Sequence, residues 1–257
     1  MTTVHEITDY ADELLQSKIT PDYPNALNGL QFENRSGIRG IAAAVDFSSR
    51  AIKEAITKNA NLLVVHHGMF WEGSNHLTGP MYNRLRLLLE NDIAVYSSHL
   101  PLDRHSTLGN NALLTRQLGL EPSGSFARFE GISIGVSGES DIETTVLAER
   151  ARSFAKSYDG ELRTTPFGKT QRTKRWAICS GAGASTETLT EAREMKIDTL
   201  VVGEGPHWTA VYAEENDLTI LYVGHYATET LGVRALADHL GERFALPSFF
   251  VNAPTGL

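Results

Sequence analysis

The chain has 257 residues, 41% of them hydrophobic and 21% charged, which is the profile of an ordinary globular protein with core enough for one large or two smaller α/β domains. A formal net charge of −8 argues against a broad phosphate-binding surface, because non-specific nucleic-acid affinity depends on clustered Lys and Arg; nucleic acid is not an expected partner. The one cysteine, Cys179, excludes an intrachain disulfide, and with no basic-then-apolar leader and no run of membrane-spanning length, a cytoplasmic protein without a membrane partner is expected.

Residues 4 to 15 place Val4, Ile7, Ala11, Leu14 and Leu15 on one helical face, which predicts an amphipathic first helix. Residues 21 to 34 are irregular, and Asn28-Gly29-Leu30-Gln31 reads by itself only as a turn or a close backbone approach. Ile38 to Val45 is a strand ending at Asp46, and Ser48-Ser49 can cap a helix through Ile52, Ala55 and Ile56. That helix delivers the chain to Asn61-Leu-Leu-Val-Val-His66-His67-Gly68, an apolar run flanked by turn residues, which reads as a strand covered on both faces. Strand, helix and strand form a right-handed β-α-β unit with parallel strands. The two imidazoles then sit at the strand's C-terminal end, where open α/β sheets bind ligands. Side-chain alternation predicts that they point to opposite sides and could serve two metal ions. An isolated His-His pair is equally compatible with capping or with one core and one solvated histidine.

Pro80 suits the first turn of a helix running through Leu85, Leu88 and Leu89. A strand at Ile93 to Ser98 exits into His99-Leu-Pro-Leu-Asp103, and Gly109-Asn110-Asn111 opens a further helix. Glu121-Pro-Ser-Gly-Ser125 is the best boundary in the sequence. Beyond it the alternation restarts: strand Ile132 to Val136, helix Ile142 to Tyr158, and strand Arg175 to Cys179 running into Ser180-Gly-Ala-Gly-Ala-Ser185, read as a tight turn rather than a nucleotide motif. Strand Thr199 to Val202 ends at Gly203-Glu204, with His207 close behind, and strand Leu218 to Val223 ends at Gly224-His225. If His225 starts a helix, Glu229 lies one turn on, on the same face.

Three strand exits thus carry His66/His67, His99/Asp103 and His225/Glu229. Imidazole and carboxylate without thiolate suit Zn, Mn, Fe, Ni or Co, and a carboxylate can bridge two ions in the arrangement used to activate water and hold an oxyanion. Val65-His-His-Gly-Met-Phe-Trp71, Tyr96-Ser-Ser-His-Leu-Pro-Leu-Asp103 with Leu108-Gly-Asn-Asn111, Gly224-His-Tyr-Ala-Thr-Glu229 and Leu27-Asn-Gly-Leu-Gln31 closely resemble the motifs of the NIF-three-like dinuclear metal centre family. Within it they are most similar to the YbgI-type members labelled GTP cyclohydrolase 1 type 2 homologs. Gly68 departs from the His-His-Pro of many relatives. The resemblance implies two divalent ions per chain ligated by His66, His67, Asp103, His225 and Glu229, and a ring-like homohexamer.

The expected architecture is α/β, with two interleaved lobes of mainly parallel sheet and the metal site at strand C-terminal ends between them. Residues 1–120 with 218–257 would form the metal-binding lobe and 121–217 the second, because His225 and Glu229 must meet ligands more than a hundred residues earlier. The expected activity is that of a metal-dependent hydrolase acting on a small nucleotide-like or phosphorylated molecule, with Glu204 or His99 handling protons or orienting a ligand. The alternative is a non-catalytic metal-binding scaffold. A solvated Glu204 and a structural His99 stay open at this stage.

Overall fold

The computed structural model describes residues 2–71, 73 and 75–257; Met1, Glu72 and Ser74 lie outside the described residues. The chain is α/β and divides into two compact units, Met1–Leu102 with Gly232–Ala253, and Asp103–Leu231 with Pro254–Leu257.

The first unit opens with α1 (Val4–Leu15), whose buried face of Val4, Ile7, Ala11 and Leu15 is the one that the apolar spacing predicts. A capping box holds its start: Glu6 N donates to Thr3 Oγ1 while Thr3 N donates to the Glu6 carboxylate, an arrangement of about 1 kcal/mol. The unit's sheet has the order β1-β4-β3-β2-β11, from β1 (Gly29–Phe32), β2 (Ile41–Asp46), β3 (Leu62–His67), β4 (Ala94–Ser97) and β11 (Ser248–Phe250). The strands β4, β3, β2 and β11 run parallel, and β1 closes the edge antiparallel to β4. All six residues of β3 are buried, so its side chains need apolar partners on both faces. One face packs Leu63, Val65, Ala42, Ala44 and Val95 against Ile52 and Ala55 of α2 (Ser49–Thr57) and Leu88 of α3 (Gly79–Asn91). Each buried Leu, Val or Ile contributes about 1.5–3 kcal/mol. Ser48 caps α2 as the sequence suggests, its hydroxyl accepting from Ala51 N at 3.1 Å.

The second unit has a mixed sheet of order β5-β6-β8-β9-β10-β7. Its strands are β5 (Gly124–Phe129), β6 (Ile132–Glu143), β7 (Arg163–Thr164), β8 (Arg172–Cys179), β9 (Thr199–Val202) and β10 (Thr219–Tyr222). The strands β8, β9 and β10 are parallel, and the outer pairings are antiparallel. On one face Trp176, Ile178, Val201 and Leu221 pack against Leu114 of α5 (Asn110–Gln117) and Leu147 and Ala151 of α6 (Thr144–Lys156). On the other, Ala177, Leu200 and Ile220 meet Leu189 and Ala192 of α7 (Thr186–Glu194) and Ala213 of α8 (Trp208–Glu215). The remaining helices are the short α4 (Leu100–Asp103) and the long α9 (His225–Phe244), whose chain passes from the second unit into the first.

The C-terminal segment returns to the first unit, as interleaving requires, through the parallel pairing of β11 with β2. The contact division differs from the expected one at 103–120, 218–231 and 254–257, which group with the second unit. The cause is local: Leu114 and Leu118 pack in the core of the second sheet, and β10 pairs with β9. The segment 121–125 runs into β5 rather than forming a linker.

Candidate metal centre

In the first unit β3 delivers His66 and His67 as its last two residues. The His66 ring is fully buried and its Nδ1 lies 2.9 Å from the Ser98 carbonyl oxygen. His67 Nδ1 lies 2.9 Å from Asp46 Oδ1, across the β2/β3 register in which these two residues are paired. His99, just after β4, puts Nδ1 2.8 Å from Asp22 Oδ1. Carbonyl and carboxylate oxygens can only accept here, so each Nδ1 carries a proton and Nε2 is the ring nitrogen set to face a ligand.

The rings converge. Centroid separations are 4.9 Å for His66 and His67, 4.8 Å for His66 and His99, and 5.8 Å for His67 and His99. One ligand atom from each of the three lies within 4.8 Å of the other two. The expectation that His66 and His67 point to opposite sides is therefore corrected. Strict alternation holds inside a strand, and His67 is the last residue before the chain turns at Gly68.

The segment that read only as a turn buttresses this cluster. Asn28 Oδ1 accepts from His99 N at 2.7 Å and its amide donates to Asp22 Oδ2 at 2.8 Å. Gln31 Oε1 accepts from Met69 N at 2.6 Å, and its amide donates to the carbonyls of Ala26 and Leu27. A Cβ at Gly68 would overlap the Gln31 amide, a physical reason for glycine after the paired histidines. Asp22 also accepts from Tyr23 N and Leu100 N, at 2.7 and 2.9 Å. Burial pushes its carboxyl up, but the bond and charge of His99, with the Asn28 and Leu100 donors, outweigh this and hold it below the usual carboxylate value.

In the second unit α9 starts at His225, and one turn later Glu229 Oε2 lies 3.1 Å from His225 Nε2. His225 Nδ1 lies 2.8 Å from Glu204 Oε1 at the exit of β9. Burial lowers the affinity of His225 for its proton, yet Glu229 and then Glu204 win and raise its pKa to about 9. Asp103 is buried, its Oδ1 accepting from Asn110 Nδ2 at 2.8 Å and Ser180 Oγ at 3.3 Å. Asn111 ties this corner together, accepting from Ser180 N at 2.8 Å and donating to the Ile134 carbonyl at 2.7 Å. The glycine-rich turn after β8 is thus a frame for carboxylates. Gly181 adopts φ +61°, its N–H donates to Thr228 Oγ1 at 3.0 Å, and a Cβ there would overlap Glu229 Oε1. Cys179, which ends β8, is buried, and that burial, then the charges of Asp103 and Glu229, push its thiol far up.

A cleft of about 580 Å³ in the same unit is bordered by Glu204, His207, Arg163, Thr164 and Tyr222. Of the five expected ligands, His66 and His67 thus stand beside His99 in the first unit, and His225 and Glu229 beside Glu204 in the second, with Asp103 set by Asn110 and Ser180; His99 and Glu204 are the two residues expected to handle protons or orient a ligand. Asp22, Asp46, Asn110 and Ser180 escaped the sequence reading. Asp46 alone had a legible signal, a strand-end carboxylate beside a strand that ends in imidazoles.

Among the described residues no helix is long and apolar enough to cross a membrane. A protein of Pyrococcus abyssi named GTP cyclohydrolase 1 type 2 homolog is 39% identical over 253 residues, covering 98% of each chain. One of the same name from Deinococcus radiodurans is 37% identical over 254 residues, covering 98% of this chain and 94% of that protein. The solved structure titled protein ybgI, of unknown function, superposes with a TM-score of 0.88 at 31% identity over 100% of both chains. The Thermus thermophilus protein TTHA1606 gives a TM-score of 0.83, also at 31% identity and over 100% of both chains. Buried histidine and glutamate groups able to hold metal ions accompany a match to the Duf34/NIF3 (NGG1p interacting factor 3) description over residues 2–255, and the chain belongs to that family.

Proposed function

We propose that the protein binds two divalent metal ions through His66, His67, Asp103, His225 and Glu229, at strand C-terminal ends, and that it is a metal-dependent hydrolase of a small nucleotide-like or phosphorylated molecule. The observation that carries this reading is that His66, His67 and His225 each have Nδ1 engaged by an acceptor, the orientation that presets Nε2 for a metal. Two buried carboxylates, Asp103 and Glu229, add the negative charge that a pair of cations needs. An all nitrogen and oxygen donor set suits Zn, Fe, Mn, Ni or Co, and Gly181 keeps space open beside Glu229 Oε1.

Bound divalent ions supply Lewis acidity for hydrolysis. The chain's own residues do the rest. Glu204 orients His225, and its other face borders the cleft, which we assign to the substrate, with Arg163 as the partner of an anionic group. His99, fixed by Asp22, presents a ring nitrogen to a ligand. The name shared by the Pyrococcus and Deinococcus relatives makes guanine nucleotides the first compounds to test. We further propose a homohexamer, on the motif resemblance, checked by light scattering; a monomer at micromolar concentration rejects it.

The test loads the protein with Zn²⁺, Mn²⁺ or Fe²⁺, measures stoichiometry, and screens nucleotides and phosphoesters beside an Asp103→Ala control. Turnover that Asp103→Ala abolishes supports the hydrolase. Two ions bound without turnover of any compound supports the metal-binding scaffold, and uptake of at most one ion rejects the dinuclear site.

A further inference from the structure

We infer that His99 is a third imidazole ligand beside His66 and His67, and that Asp22 is the positioning residue that makes it one. The inference rests on the reading that this centre binds metal, and it adds a donor that the five-residue ligand set leaves out.

Three observations carry it. The first is proximity: one ligand atom of each of the three histidines lies within 4.8 Å of the other two. A divalent ion held at about 2.0–2.1 Å from each nitrogen needs them roughly 3–4 Å apart, a spacing close to the one observed. The second is tautomer. Acceptors at Ser98 O, Asp46 and Asp22 engage Nδ1 of His66, His67 and His99, so all three rings are set alike, with Nε2 as the ligand atom. A histidine meant only to hydrogen-bond a substrate has no need to share the setting of its two neighbours.

The third is the investment in Asp22. Its carboxylate is 6% exposed and takes four donors, the His99 ring, Asn28 Nδ2, Tyr23 N and Leu100 N. Asn28 also accepts from the His99 backbone, so one loop holds both the ring and the main chain of this residue. The Trp71 ring, with its centroid 4.6 Å from that of His99 and 4.8 Å from that of His67, walls the same cluster. A carboxylate–histidine pair of this kind fixes a metal-ligating ring and raises its basicity. Three imidazoles with a position left over for a further ligand form a donor set used in catalytic zinc sites.

The experiment uses Co²⁺ alone as the probe, with the full chain, since its visible bands report the ligand set directly. Wild type, His99→Gln and Asp22→Asn are titrated with Co²⁺ against a competing chelator, and folding is followed by thermal unfolding in the chelator. The expected result is a shifted visible spectrum with at least about tenfold weaker binding in His99→Gln, and about 10–100-fold weaker binding in Asp22→Asn. In the wild type itself, the hyperfine-shifted Nδ1–H resonance of His99 should stand with those of His66 and His67, which needs no variant to fold. A His99→Gln spectrum superimposable on wild type at unchanged affinity, or an unshifted His99 resonance in the Co²⁺ protein, overturns the inference and leaves the dinuclear reading intact. A wild type that takes up no Co²⁺ overturns both.

Discussion

Replacing Gly181 by alanine tests whether the turn after β8 is shaped around Glu229. Two costs arise there and can be measured apart. At φ +61° an L-residue costs about 1–2 kcal/mol, and the added methyl overlaps the Glu229 carboxylate, an overpacking cost of about 1–3 kcal/mol. Gly131, in the tight turn between β5 and β6, supplies the control, because its φ is +87° and a Cβ there meets nothing within 4 Å. Gly131→Ala therefore isolates the backbone term, at about 1–2 kcal/mol, while Gly181→Ala should lose about 2–5 kcal/mol in all. At about 2–4 °C per kcal/mol the melting temperature should fall by about 2–8 °C and 4–20 °C respectively, measured by thermal unfolding with a chelator present. The displaced carboxylate should also weaken Zn²⁺ binding at least about tenfold in Gly181→Ala and leave it unchanged in Gly131→Ala, read by competition with a chromophoric chelator. Equal melting temperatures and equal Zn²⁺ affinities for the two variants would refute the role given to this glycine.

In metal-free protein, His225 titrates at about 9 when folded and at about 6.5 when unfolded. The stabilisation from its contacts with Glu229 and Glu204 is thus complete below pH about 6.5 and is lost as pH rises through about 9; urea unfolding across that window should show it, and His225→Gln should flatten the slope. Glu229→Gln should lower bound metal more than His99→Ala, because it removes a negative charge that would offset the repulsion of the two proposed cations, and metal analysis showing the reverse order would mean that the weights of the two residues are exchanged. Asn28→Ala should cost about 1–3 kcal/mol, since it strips a half-buried acceptor from His99 N and a donor from Asp22; a change under about 0.5 kcal/mol in urea unfolding would deny it that part.

The parallel strands were legible because they are buried on both faces: Leu62–Val65 and Thr199–Val202 are short runs of apolar and β-branched residues, the first closed by two histidines and Gly68, the second by Gly203. The edge strands were not. Gly29–Phe32, Arg163–Thr164 and Ser248–Phe250 are two to four residues long and take their strand character from a neighbour's backbone, which local patterning cannot record. The same division runs through the centre. Histidines at strand exits announce themselves, and Asp46 at a strand end gives a fainter signal, whereas Asp22 looks in sequence like any solvated acid and only the fold reveals that it meets an imidazole. The stretch 180–185 read as a tight turn, but the sequence could not show that its Gly181 answers a steric demand from a carboxylate nearly fifty positions later.

The pairing of β11 with β2 also bears on the order of events during synthesis. His66, His67 and His99 leave the ribosome early, but the sheet that carries them gains its last strand only when residues 248–250 have emerged. Until then the nascent chain presents β2, a run of Ile, Ala and Val, as an open parallel edge, the kind of surface that invites strand addition by another molecule. Most of the second unit, residues 103–231, is already available in that interval. A ribosome stalled before residue 248 should therefore display a protected second sheet and a protease-sensitive, chaperone-bound first one.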